Sequence, residues 1–308
     1  MKSLITLVGP TAVGKTQLSL RLAAEFNSPI LSADSRQFFR GMDIGTAKPD
    51  QEEQERIKHY FLDSLDPEEV YNAGRFEAEA ENLMQELFVK HPVLIMVGGS
   101  TLYMDAIWQG FDEMPQIEAH VRDRLNQTLE ESGLKPLQEE LKEVDPATYA
   151  QIDQQNPARI IRALEVYRGT GIPISLLRKG RKKKIHSYRL IKVGLWEERE
   201  KLYRRIEERV DRMMEEGLLD ELRLLLKRGL SPESQALNTI GYQELIPYLR
   251  GRYDLEEAIR LIKRNSRRYA KRQLTYYRKH EEIQWFRARQ GEEALEWIKK
   301  KVGESSPT

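Results

Sequence analysis

The sequence predicts an α/β protein with a parallel-sheet core, an all-α insertion and a set of C-terminal helices, and three observations point there. An apolar run, Leu4 to Val8, leads into Gly9-Pro10-Thr11-Ala12-Val13-Gly14-Lys15-Thr16 and then into helical periodicity. Further β-rich runs recur at 29–33, 92–97 and 188–195 with helical patterning between them, the alternation that builds a parallel sheet. From Gln116 to about Lys184 strand patterning stops and only helical periods and turns remain. The expected organisation is a first core segment at 1–115, a helical insertion at 116–184, and a segment at 185–308 that completes the core.

Leu4 to Val8 is long enough for one buried strand. The residues after it fit G-x-x-x-x-G-K-[ST], a phosphate-cradling loop, so the core resembles that of P-loop NTPases. Gly9 and Gly14 permit close approach of backbone to ligand. The N–H groups along Thr11, Ala12 and Val13 then face phosphate oxygens. Lys15 supplies a mobile charge, and the Thr16 hydroxyl suits Mg²⁺. The helix from Gly14 to Phe26, with Leu18, Leu22 and Phe26 on one face, adds a dipole that favours an anion.

Pro29 to Ala33 reads as a second strand ending at Asp34-Ser35-Arg36-Gln37. Functional groups of an open parallel sheet collect beyond its strands' carboxyl ends, so Asp34 falls on the rim of the phosphate loop, as an active acid or as a turn or helix cap. Arg40 to Pro49 carries two glycines and a proline and is a loop long enough to be functional. A short helix is expected from Gln51 to His59, a strand at Tyr60-Phe61-Leu62, and a helix from Arg75 to Lys90. Pro92 to Val97 is the most apolar run and should be a central strand; it ends in Gly98-Gly99-Ser100-Thr101, ahead of a helix from Leu102. Two glycines where many phosphate-loop ATPases carry a Mg²⁺-binding Asp argue against a motor or helicase.

In the insertion, Val121, Leu125 and Leu129 form one stripe and Leu134, Leu137 and Leu141 another. Asn156-Pro157 starts a helix with Arg159 and Arg162 beside apolar Ile160, Ile161, Leu164 and Val166, and Gly169-Thr170-Gly171 ends it. Arg178 to Lys184 is a basic run, either a solvated segment or one suited to a polyanion. Tyr188 to Leu195 is the expected final strand. Helices follow at Glu197 to Glu216 and Leu218 to Arg228, another begins near Tyr242, and the longest runs from about Leu255 to Lys279. Between Arg260 and Lys279 that helix carries nine Lys/Arg and no acid, with Tyr269, Tyr276 and Tyr277 interleaved. Like charges at helical spacing repel, and nucleic acid is the compensating anion they favour over plain solvation. The tail after Gly303 is expected to be disordered.

The whole chain has 308 residues, a net charge of +1 and no cysteine, which excludes disulfides and thiolate metal sites. It has no apolar run of membrane-spanning length, and the first strand begins too early for a signal peptide, so the cytoplasm is the expected compartment. Nothing in it demands a second copy, so a monomer is expected.

A set of finer motifs occurs in order: the phosphate loop, Ala33-Asp-Ser-Arg-Gln37, Gly41-Met-Asp-Ile-Gly-Thr-Ala-Lys-Pro49, Val97-Gly-Gly-Ser-Thr-Leu-Tyr103, Arg159-Ile-Ile-Arg-Ala-Leu-Glu-Val166, Ile240-Gly-Tyr-Gln-Glu244 and Arg268-Tyr-Ala-Lys-Arg-Gln273. This closely resembles the bacterial tRNA dimethylallyltransferases, also called tRNA isopentenyltransferases, over most of the chain. Ser100 stands where that family usually has Thr, which keeps the hydroxyl. The zinc finger of eukaryotic relatives is excluded by the absence of cysteine.

The resemblance implies transfer of the dimethylallyl group of dimethylallyl diphosphate to N6 of adenosine 37, beside the anticodon, with diphosphate leaving. The phosphate loop then holds a leaving group. Asp34 would be the general base toward N6. Lys15, the loop N–H groups, Thr16 with Mg²⁺ and an arginine would stabilise the departing diphosphate. By motif position that arginine is Arg209; on spacing alone Arg205 or Arg212 would serve. Ser100 and Thr101 would contact phosphate or the target nucleotide. Ser35, Arg36 and Gln37 would read flanking bases. Arg122, Arg124, Arg159 and Arg162 would clasp the anticodon stem-loop, with Ile160, Ile161 and Ala163 in the same motif. Gly241, Tyr242, Arg268, Arg272 and Gln273 would complete the RNA surface. A phosphate-loop small-molecule or nucleoside kinase, a non-catalytic RNA-binding protein and prenyl transfer to free adenine nucleotides remain alternatives. The acid-free basic helix disfavours the first and third of these, and Lys15 with Asp34 the second.

Overall fold

In the computed structural model the described residues are 2–112, 114–178 and 184–304. They form two compact units, residues 1–108 with 185–308, and residues 109–184.

The larger unit starts with β1 (Ser3–Val8), all six residues buried, and α1 (Lys15–Phe26), which opens after left-handed Gly14 and sets Leu18 and Leu22 on the sheet. β2 (Ile30–Ser32) is shorter than the apolar run predicts, because the chain turns into the Asp34 loop. Asp50 and Glu53 cap α2 (Gln51–Arg56) reciprocally, and β3 (His59–Tyr60) adds an edge. Asn72 starts α3 (Ala73–Leu87), whose Phe76, Ala80, Met84 and Leu87 are buried at helical spacing. β4 (Val93–Val97) and α4 (Thr101–Gln109) follow.

The smaller unit is all helical: α5 (Ala119–Ser132), α6 (Lys135–Val144), α7 (Pro146–Gln151), α8 (Pro157–Thr170) and α9 (Ile174–Leu177). The α8 helix packs on α5 and α6 through Leu125, Leu137, Leu141, Ile160, Ile161, Ala163 and Leu164, its own core. The basic run at Arg178 to Lys184 falls largely on residues 179–183, outside the described residues, as do residues 305–308 of the expected tail.

The larger unit resumes with β5 (Arg189–Trp196), α10 (Arg199–Glu215), α11 (Leu218–Lys227), α12 (Tyr242–Leu249) and α13 (Leu255–Tyr277). β5 is not the last strand. A sixth, β6 (Gln284–Arg287), pairs with it and α14 (Gly291–Gly303) closes the chain. At four residues, β6 is too short for alternation to announce it.

Among the described residues all strands run parallel, in the order β3-β2-β4-β1-β5-β6. Central β1 pairs β4 on one side (Ile5 with Ile95) and β5 on the other (Ile5 with Ile191). The carboxyl ends of β1, β2 and β4 therefore bring the phosphate loop, Asp34 and Gly98-Gly99 to one rim.

Candidate active site

The rim is held by bonds that continue past the sheet ladder. Ala33 donates its N–H to Val97 O at 2.7 Å, and Ser100 donates its N–H back to Ala33 O at 3.3 Å. A Cβ on Gly98 would collide with the Ala33 carbonyl, so only glycine lets the two strand ends approach this closely. Gly99 is also closed to a side chain, because Gln273 of α13 fills that space. The Gln273 amide donates to Gly99 O at 2.8 Å and accepts from Thr11 N–H at 2.9 Å. One side chain from the C-terminal helix thus ties the phosphate loop to the end of β4.

Lys15 donates to the carbonyls of Gly9 and Pro10 at 3.0 and 2.9 Å. Burial lowers its pKa to about 8; Asp34 works against that shift and Arg209 adds to it. Arg209 is itself lowered by burial, again opposed by Asp34 and helped by neighbouring Arg212. Asp34 accepts Arg36 N–H at 3.1 Å, so its carboxylate is both turned by the local backbone and set among cations.

Two cavities meet here. The first, about 440 Å³, is lined by the phosphate loop from Thr11 to Thr16, by Gly98 and Gly99, and by Arg205, Arg209 and Arg212 of α10. The second, about 360 Å³, is lined by Ser35, Arg36, Asn238 to Gly241, Ser266 and Arg272, with Ile206, Val210 and Met213 as an apolar wall. Thr11, Asp34, Thr46, Arg209 and Tyr269 line both and form the waist between them. Of the three arginines left open by spacing, only Arg209 stands at that waist; Arg205 and Arg212 line the phosphate side alone.

The remaining expected residues divide. Ser100 and Thr101 line neither cavity. The Ser100 hydroxyl instead accepts Ser35 N–H at 2.8 Å, fixing the turn after Asp34. Gln37 lines the first cavity, but its amide donates to Thr46 O and Ala47 O and accepts from the Ser32 hydroxyl, which commits it to the protein. Gln273, 2% exposed, has its amide committed as described. Tyr242 is fully buried with its hydroxyl on Glu221 at 2.6 Å, and Gly241 is buried beside it, although its backbone lines the second cavity. In the helical unit Ile160, Ile161 and Ala163 are core residues. These apolar and buried side chains, expected on an RNA surface, are packing residues instead. Arg162 and Arg122 both reach Glu165, at 2.9 and 3.5 Å, while Arg124 and Arg159 are exposed.

The basic helix also needs correction. Acids missing from α13 after residue 260 come from α10 packed beside it: Asp211 pairs Lys263 at 2.6 Å and Glu207 pairs Arg267. Arg260 pairs Glu257 on its own helix at 2.6 Å. Arg268, Lys271, Arg272, Arg278 and Lys279 are exposed. Sequence reading passed over Tyr269 and Thr46 as site residues. Tyr269 lies four residues before Gln273, one helical turn on the same face, and Thr46 sits in the motif-bearing loop, so both signals were present.

The IPP transferase family model matches residues 37–280. A tRNA dimethylallyltransferase of Cytophaga hutchinsonii is 48% identical over 303 residues, covering 98% of each chain. The crystal structure of the full-length tRNA isopentenylpyrophosphate transferase of Bacillus halodurans is 38% identical with a TM-score of 0.73, covering 98% of this chain and 97% of that one. A eukaryotic dimethylallyltransferase captured acting on tRNA is 28% identical with a TM-score of 0.78, over 94% of this chain and 74% of its own. A six-stranded parallel sheet with a phosphate loop, the Gly41–Pro49 motif and this extent of likeness make the chain a member of the IPP transferase family.

Proposed function

We propose that this protein transfers the dimethylallyl group from dimethylallyl diphosphate to N6 of adenosine 37 in tRNA and releases diphosphate. The observation that carries this is the position of Asp34, at the waist between a cation-lined phosphate cavity and a second cavity of mixed lining. A donor diphosphate fits the first. An adenine turned out of the anticodon loop fits the second, at an unstacking cost of about a few kcal/mol.

The exocyclic amine of adenine is a weak nucleophile, because its lone pair is delocalised into the ring. Asp34 accepts an N6 proton as the new C–N bond forms, a contribution of about 10²–10⁴-fold for such a base. The breaking C–O bond leaves charge on the bridging oxygen. Lys15, Arg209 and the loop N–H groups stabilise it. A divalent metal such as Mg²⁺ fits this lining. Among the described residues no cluster of three or more His, Cys, Asp or Glu is placed to hold a metal. The ion would rest on the exposed Thr16 hydroxyl and on diphosphate oxygens, the sparse protein ligation Mg²⁺ accepts. When bound it supplies further charge to the leaving diphosphate.

The anticodon stem-loop is held in this proposal by the exposed cations of α13, with Arg268 and Arg272 foremost, by Ser35 and Arg36 near the flipped base, and by Arg122, Arg124, Arg159 and Arg162 of the helical unit acting as a clamp. Among the described residues no helix is long and apolar enough to cross a membrane. The enzyme works on tRNA in the cytoplasm as a monomer. The test is transfer of label from dimethylallyl diphosphate, with Mg²⁺, to an anticodon stem-loop RNA carrying an adenosine or a guanosine at the target position. Label confined to the adenosine RNA and lost in Asp34→Asn is expected. Phosphate transfer from ATP to a small acceptor, with unlabelled RNA, would sink the proposal in favour of a kinase.

A further inference from the structure

The loop Gly41–Pro49 is the most distinctive stretch of this sequence, and its shape depends on a residue far from it in the chain. Three successive amides point to one carboxylate: Asp43 N and Ile44 N donate to Glu221 Oε2 at 2.7 and 2.9 Å, and Gly45 N donates to Oε1 at 3.0 Å. The buried Tyr242 hydroxyl adds a fourth donor to Oε1 at 2.6 Å. Consecutive N–H groups converging in this way form an anion nest, here filled by the protein's own side chain. Gly45 lies against the Tyr242 ring so closely that a Cβ would overlap it. The other end of the loop is held by Lys48, whose side chain is 2% exposed and whose ammonium donates to Phe39 O at 2.7 Å and pairs with Asp43 and Asp63.

Glu221 lines neither cavity. Its two attachments do. The loop supplies Thr46 to the waist and Ala47 and Pro49 to the phosphate cavity. Glu221 sits in the first turn of α11, joined through Gly217 to α10, which supplies Arg205, Arg209 and Arg212 to the opposite wall. The carboxylate is thus a tie between the two walls of the waist.

We propose that Glu221 is a positioning residue for the transfer reaction: by gripping the Gly41–Pro49 loop from the α10–α11 hairpin, it sets the spacing between Thr46 and Arg209 around the reacting atoms. The proposal rests on the function proposed above. A glutamine of the same size keeps one acceptor oxygen but turns an NH₂ toward donors, so part of the nest opens. In Glu221→Gln, hydrogen exchange at the amides of Asp43, Ile44 and Gly45 should rise about tenfold or more, while β1 amides stay as they were. Because misplacement by about 1 Å can cost about a hundredfold, kcat for prenyl transfer should fall about tenfold or more. Affinity for inorganic diphosphate, carried chiefly by the phosphate loop after β1, should fall less than kcat does. Glu221→Asp, which keeps both oxygens on a shorter stem, should recover part of the exchange protection and part of kcat. Asp220→Asn removes a neighbouring exposed acid that pairs with Arg223, and should match the parent in every readout.

Unchanged loop exchange or unchanged kcat in Glu221→Gln overturns the proposal. So does a joint loss of diphosphate binding, melting temperature and kcat, which would make Glu221 a folding element only. A parent protein that binds diphosphate but transfers no prenyl group would instead overturn the proposed function, and loop exchange in Glu221→Gln would still decide whether the carboxylate holds the loop.

Discussion

Raising the pH should switch off the charge that the phosphate loop offers its ligand, and should do so well below the range of an ordinary lysine. Lys15 sits at about 8 chiefly because burial penalises its ammonium form, with Arg209 adding to the effect and Asp34 opposing it. The sign follows directly. Below pH 8 the free enzyme already carries the cation, and diphosphate binds without proton uptake. Above it, Lys15 is neutral in the free enzyme and must regain a proton when the anion binds, so apparent affinity falls. At pH 9 only about one molecule in eleven keeps the proton, a loss of about tenfold, or about 1.4 kcal/mol. A lysine at its ordinary value would lose almost nothing at that pH. The assay is calorimetric titration of inorganic diphosphate between pH 6.5 and 9.5, in parallel with Lys15→Arg. Arginine stays charged throughout and reports the ligand's own titration. The ratio of the two dissociation constants should be flat below pH 7.5 and rise about tenfold per unit above pH 8.5. A ratio that stays constant across the whole range refutes the reasoning.

Other consequences are as direct. Gln273→Leu strands the Thr11 N–H and leaves the Gly99 carbonyl only the longer contact from the Tyr269 hydroxyl at 3.5 Å. At about 1–3 kcal/mol for each unpaired buried group, both diphosphate affinity and melting temperature should fall, as isothermal titration and calorimetric scanning would show. Arg268→Ala with Arg272→Ala should weaken stem-loop RNA binding and lower its log–log salt slope by about one for each phosphate no longer neutralised, measured by fluorescence anisotropy at several salt concentrations. Arg267→Ala, whose guanidinium is held by Glu207, should lower that slope less. Arg209→Lys keeps a charge but loses the planar fork, so kcat should drop while stem-loop affinity holds; equal loss in both would remove Arg209 from the chemistry.

Much of the fold was legible because its signals are local. The run into Gly9–Thr16 gave strand, loop and helix in the required order, and Asn156, expected to start a helix, does cap α8, whereas α3 begins at Ala73 behind Asn72, ahead of the expected Arg75. β6 escaped because four residues carry too little pattern. The placing of Lys15, Thr16 and Asp34 around one cavity was legible, because each follows a strand end within its own segment. The site was illegible where a role depends on what lies opposite. Gln273 reads in sequence as one more polar residue on an RNA-facing helix, yet it sits on that helix's buried side. Glu221 reads as a solvated acid in a helix's first turn, and nothing local announces the amides that meet it. Lys263 and Arg267 of α13 also read as uncompensated until α10 is seen packed against them.

The bond between Thr11 and Gln273 spans 262 residues of sequence. The phosphate loop leaves the ribosome well before the amide that steadies it. A nascent chain that has emerged only as far as α12 holds the anion motif without its brace, beside a β4 end whose Gly99 carbonyl has no partner from α13. The brace on the phosphate loop therefore arrives only once α13 has been made, together with the exposed cations of that helix. A molecule truncated ahead of α13 should lose both at once.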